Sequence, residues 1–187
     1  MKVITAPSEV LSVAEVAAHL RLGGSPYPDQ DLVESLITAA RQWVEDYVRR
    51  AIGAQTLEDT FASFEEIRLR PPVSAITSIY YKTSGVATLL AATEYDLVDD
   101  PDKGGVRVAY GKSWPSVDAV EDAVVVTYET GYTVGSPSDL PGTIRSAMML
   151  VIGDLYENRE AQILGTIVTE NKTVERLLSM HRLEMGI

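Results

Sequence analysis

The chain contains no cysteine. That absence excludes disulfides, thiolate metal sites and cysteine nucleophiles, and nothing in cysteine usage marks a secreted scaffold. Histidine is nearly missing too: His19 and His181 are the two in 187 residues, near opposite ends. A Ser-His-Asp arrangement or a histidine-rich metal site would have to be built around one of them. Positive charge is scarce, with 16 lysines and arginines against 27 acids and a net charge of −11. A protein that grips nucleic acid by neutralising phosphates needs the opposite balance. An acidic wall past which DNA slides stays compatible, because like charge repels phosphate. Long apolar runs are also lacking. The most apolar stretch covers residues 147–152, far short of the ~20 residues of a membrane span. The amino terminus has no long apolar core, so no signal peptide is expected.

What is present fits a globular protein: 45% hydrophobic and 23% charged residues, in a chain long enough to bury ~70% of its unfolded surface. Ser12 and Glu15 stand at capping-box spacing and open a short helix with Val13, Val16, Ala17 and Leu20 on one side. A longer helical pattern starts near Asp29. Asp29, Asp31 and Glu34 crowd its first turns and Arg49 and Arg50 lie near its end, as the helix macrodipole favours. Leu32, Leu36, Ala39, Ala40, Trp43, Tyr47 and Val48 recur at helical spacing and are expected to face the core. Glu34, Arg41, Gln42, Glu45 and Arg49 are expected to face solvent, with Gly53 as the stop.

From residue 55 the pattern turns to short β-branched and aromatic runs between turn residues. Strands are expected at 56–64, 67–69, 75–82, 95–98, 106–109 and 124–130, with Val124, Val126 and Tyr128 on one face. Such tight spacing, with no helix between strands, argues for antiparallel pairing. A Gly-, Ser- and Pro-rich loop over 131–139 leads to a helix that Asp139 can cap. In it Ile144, Met148, Val151, Ile152 and Leu155 form one apolar stripe, while Met149, Leu150, Gly153 and Tyr156 fill much of the other side. A helix apolar nearly all round is buried on both sides, and in a small domain a second subunit can supply the second cover. A final helical pattern spans 173–180, and 181–187 reads as an extended arm.

No motif assembles a reaction centre. Gly111-Lys112-Ser113 resembles the tail of a phosphate loop, but Val106 stands where its first glycine belongs and Pro115 follows. Asp99, Asp100 and Asp102 lack EF-hand spacing and read as a hairpin turn. Glu65 with Glu66, and Glu94 with Asp96, are near pairs of the sort 27 acids produce by chance. Hydrolysis needs two carboxylates facing one bond, which sequence does not show.

Residues 11–21, residues 31–45, Gln55-Thr56, Pro72-Val73, residues 76–81, residues 125–132, residues 141–147 and Leu155-Tyr156-Glu157-Asn158-Arg159-Glu160 together carry a resemblance. In that order they resemble the head–tail connector (adaptor) proteins of tailed phages, of the gp6-like and phiE125 gp8-like kind. The resemblance implies an α+β protein: a small bundle of about four helices with an inserted antiparallel β-rich segment. Residues 1–54 and 139–187 would form the bundle with a carboxy-terminal arm, and residues 55–138 the insertion. It implies a non-enzymatic virion protein without cofactor or metal, assembled in the host cytoplasm. Such proteins form a ring, commonly of twelve copies, beneath the portal protein. They extend the DNA tunnel without specific DNA binding and offer a platform to a neck, stopper or tail protein. On this reading Met149, Leu150, Gly153 and Tyr156 belong to a subunit interface. Val174, Leu177, Leu178, Met180 and Arg182 belong to a portal-facing arm, so removing 173–187 is expected to abolish attachment and spare the fold. Two alternatives stay open: a small carboxylate-dependent hydrolase, and another virion assembly protein.

Overall fold

The computed structural model describes residues 1–24, 26–27, 29–98, 100, 102–133, 140–158 and 172–183, with the Glu66 side chain left aside. It has the expected α+β composition, in two compact units: Met1–Ser8 with Gly53–Tyr132, and Glu9–Ile52 with Thr133–Ile187.

The first unit is a sheet of β1 (Lys2–Thr5), β2 (Gln55–Phe61), β3 (Val73–Thr83), β4 (Val86–Leu89) and β7 (Val124–Thr130), in the order β1-β2-β7-β3-β4. All its pairings are antiparallel. A separate ribbon pairs β5 (Tyr95–Leu97) with β6 (Val106–Val108). The period-two pattern of β7 puts Val124, Val126 and Tyr128 at full burial, in one core with Leu57 and Ile79. Phe64 closes this core, stacked on Trp114 at a centroid distance of 4.6 Å. Tyr128 keeps its hydroxyl satisfied: it donates to Asp59 at 2.8 Å and accepts from the Arg70 amide at 3.1 Å. The end of β7 is tied down by Thr130, whose hydroxyl lies 2.7 Å from the Arg70 carbonyl and 2.8 Å from that of Pro72.

Three features of this unit differ from the sequence expectation. Residues 1–8 were grouped with the helices, yet Lys2, Val3 and Thr5 pair with Glu58, Leu57 and Thr56. Four residues on a sheet edge, all exposed, carry no alternation to announce them. The strand at 67–69 reduces to one bridge between Leu69 and Gly104. Strand β4 was not anticipated; Ser84 and Gly85, both at positive φ (51° and 77°), make the tight turn that folds it back on β3.

The second unit contains α1 (Val13–His19), α2 (Gln30–Val48), α3 (Gly142–Glu157) and α4 (Lys172–Ser179). The capping box forms: the Ser12 amide donates to Glu15 Oε2 at 2.9 Å, and the Glu15 amide donates to Ser12 Oγ at 3.2 Å. Helix α2 ends at Arg49, whose φ of 60° turns the chain four residues before Gly53. Its buried face is Val33, Ile37, Ala40, Arg41, Val44, Glu45 and Val48. Most of the expected set is therefore displaced by one residue, about 100° of helix rotation. Mutual pairing lets the charged residues go inside. Arg41 Nε donates to Glu9 at 3.0 Å and Nη1 to Glu45 at 3.0 Å, while Glu45 accepts the Ile52 amide at 2.9 Å. In α3 the buried residues are Ile144, Ala147, Met148 and Ile152. Pro141 holds its N-cap position, and Asp139 lies outside the described residues.

Candidate functional site

Several of the residues weighed for catalysis have structural partners. His19 lines an open depression of about 380 Å³ in the helical unit, with Leu20, Arg21, Leu150, Gly153, Asp154 and Glu157. No hydroxyl or thiol lines it, so His19 has no nucleophile to activate there. His181, the first residue of the segment read as an extended arm, is half-buried. Its Nε2 lies 2.6 Å from Thr143 Oγ1, and its carbonyl accepts from Arg50 Nε at 2.6 Å. Glu94 pairs with Lys112 at 2.8 Å and Asp96 with Arg107 at 3.6 Å, so each acid of that pair meets a base of its own. Asp100 accepts the Asp102 amide at 2.9 Å, which with nearby Lys103 holds its carboxyl below the usual range. This is a turn clasping itself, and Asp99 lies outside the described residues. Among the described residues no group of three or more His, Asp or Glu is placed to hold a metal.

The surfaces of the helical unit carry more information. Met149, Leu150, Gly153 and Tyr156, the residues assigned to a subunit interface, are all half-buried. Their cover is partly internal. A Cβ on Gly153 would stand 3.7 Å from His19 Nε2, and the Tyr156 hydroxyl lies 3.3 Å from Asp29 Oδ2. Leu155, expected in the core stripe, is 42% exposed at the last turn of α3.

The segment assigned to the arm is in large part core. Val174 and Leu178 are buried in the helical unit and Leu177 is half-buried. The strong two-sidedness of α4 explains this, since 174 and 178 stack one turn apart on its inner side. The chain beyond is pinned as well: the Leu183 amide donates to the Val48 carbonyl at 3.1 Å, and the Arg182 guanidinium sits 5.2 Å from the Tyr47 ring centroid. Met180 is the outward residue of the five, at 67% exposure, with Arg182 also exposed. Residues 184–187 lie outside the described set.

The outer side of α2 is a surface, although its apolar spacing predicts core. Leu32, Leu36 and Tyr47 are half-buried, and Ala39 and Trp43 are exposed. They line the outer side of α2 at spacings of three and four. Trp43 is stacked on Tyr47 with centroids 5.6 Å apart and planes 18° from parallel. The signal was in the sequence: the apolar arc of α2 is wider than one core contact requires.

No protein-family model matches the sequence, and no curated protein matches it. Solved structures do match, over the whole chain. The fold is similar to a chain from the neck of an empty gene transfer agent (GTA) particle computed with C6 symmetry, with a TM-score of 0.75 and 22% identity over 98% of that chain. It is similar to a chain from the virion of a native GTA particle, with a TM-score of 0.76 and 24% identity over 96% of that chain. A third likeness, to a chain from the neck of a native GTA particle computed with C12 symmetry, has a TM-score of 0.73 and 21% identity over 98% of that chain. The chain thus shares, end to end, the fold of chains that occur in such particles.

Proposed function

We propose that this protein is a structural component of a phage-like virion neck, a connector whose copies form a ring beneath the portal. The observation that carries the reading is the fold likeness to neck chains over the whole length, with nearly all of those chains covered in return. The C12 symmetry of one of those necks favours twelve copies. A net charge of −11 suits a conduit, since acidic walls let DNA pass without holding it. In this reading the protein extends the DNA tunnel, sits between the portal and a downstream neck, stopper or tail protein, and is not an enzyme. Assembly in the host cytoplasm and residence in the virion follow from that role.

The portal contact is proposed for the outward end of the carboxy-terminal segment, at Met180 and Arg182, with Val174 and Leu178 supporting it from the core. Half-buried Met149, Leu150, Gly153 and Tyr156 are retained as one flank of the subunit contact. The test is co-sedimentation of the purified protein with purified portal rings. Recovery of the protein with the portal supports the reading; a protein left wholly in the supernatant at saturating concentration overturns it.

A further inference from the structure

We infer that the outer stripe of α2, formed by Leu32, Leu36, Ala39, Trp43 and Tyr47, is the surface by which one copy of this chain holds the next in the ring. The inference rests on the neck reading above and adds the surface that does the joining. At 100° per residue, the apolar residues of α2 cover an arc of about 180°. The unit's own core takes one half, through Val33, Ile37, Ala40, Val44 and Val48. The other half is left at the surface, with Trp43 43% exposed. Ala39 and Trp43 are exposed and Leu32, Leu36 and Tyr47 half-buried, a contiguous apolar row of the kind that often marks a contact site.

The row is also ordered in advance. Trp43 leans on Tyr47, and Arg182 holds the Tyr47 ring at 5.2 Å. Trp, Tyr and Arg dominate the energetics of protein interfaces, and side chains already fixed lose little freedom on association.

Charge selects a second copy as the occupant. The polar edge of α2 beside the stripe carries Asp46, exposed and without an ion pair among the described residues. In the same helical unit Arg21, Lys172 and Arg176 are exposed and likewise without an ion pair among the described residues. A neighbouring copy can bring such a base to Asp46, an acid that finds no partner within its own chain among the described residues. A ring contact joins two different patches, so one chain can supply both.

Size sets the conditions. The 19 residues of α2 extend about 28 Å, and one helix face of that length offers about 300 Å². A stable two-chain interface takes about 800 Å² from each partner. The stripe alone therefore does not hold free copies together. It acts where copies already stand side by side on a common platform, which makes each contact effectively intramolecular.

The test compares wild type with Leu36→Asp/Trp43→Asp on purified portal rings, by electron microscopy and by native mass spectrometry of the bound complex. Ala39→Arg, at an exposed position, gives the same readout should the double variant fold poorly. A photo-crosslinking amino acid at position 43 identifies what lies against the stripe. The expected result is a complete ring for wild type, at least tenfold fewer complete rings for folded variants, and crosslinks from 43 to another copy of this chain. Complete rings from folded variants, or crosslinks from 43 only to portal protein, overturn the interface while leaving the neck reading intact. Wild-type protein that leaves portals bare overturns the neck reading and the interface with it.

Discussion

Arg41 is 4% exposed and Glu45 7%, a guanidinium and a carboxylate inside a helical unit where valine would otherwise stand. Removing one member strands the other in low dielectric. Arg41→Ala should destabilise the helical unit by about 3 kcal/mol or more, read by urea denaturation followed on helical circular dichroism; a loss below about 1 kcal/mol would show that Glu45 finds water instead. At the start of α1, Ser12→Ala should cost about 1 kcal/mol. The partner of Ser12 gives this cap a pH dependence. The Ser12 amide and hydroxyl, with Arg145, hold Glu15 below its ordinary value of 4.5. A carboxyl whose folded pKa is lowered contributes stability that is present above the unfolded value and is lost as pH falls through the folded one. The stability gap between wild type and Glu15→Gln should accordingly be widest above pH 4.5 and shrink as pH falls below it. A gap of constant size across that range would refute the assignment. In the sheet unit, Gly131 has a φ of 95°, and a Cβ there would run into the Gly53 carbonyl, so Gly131→Ala should lower the melting temperature measurably.

At the scale of elements, α4 carries the clearest prediction. Its inner residues Val174 and Leu178 are buried, so Leu178→Ala should cost about 2–5 kcal/mol. Deleting residues 173–187 should destabilise the helical unit, contrary to the sequence expectation that the fold would survive; thermal melts of the truncated chain check this. The elements legible beforehand were those with local grammar. The capping box placed α1, period two placed the buried face of β7, and the 3.6-residue period placed α2 and α3. What failed depended on distant partners. Charge alone predicts solvent for Arg41, and of its two partners only Glu45 is local, while Glu9 lies 32 residues away. The buried face of α2 is thus turned by one residue from the face that its apolar spacing predicts, and Trp43 lies outside the core. Edge strand β1 was illegible for a similar reason, since its pairing with β2 joins positions 2–5 to 56–58. The helical pattern over 173–180 corresponds to α4, but its reading as an arm does not hold for Val174 and Leu178, which are buried.

For the whole molecule, the proposed neck role draws on the acidic charge, the fold likeness along the chain and the over-wide apolar face of α2. In the proposed ring, a weak, repeated contact that closes only on a template would keep free subunits apart. Free protein should accordingly sediment as a monomer at micromolar concentration. A stable oligomer in the absence of portal would mean that the contact is larger than α2 provides. The most direct measurement is electron microscopy of purified portal rings mixed with excess protein. The account predicts an added ring of density stacked on one face of the portal, coaxial with it and built from twelve copies of this chain. Portals that stay bare at saturating protein would contradict it.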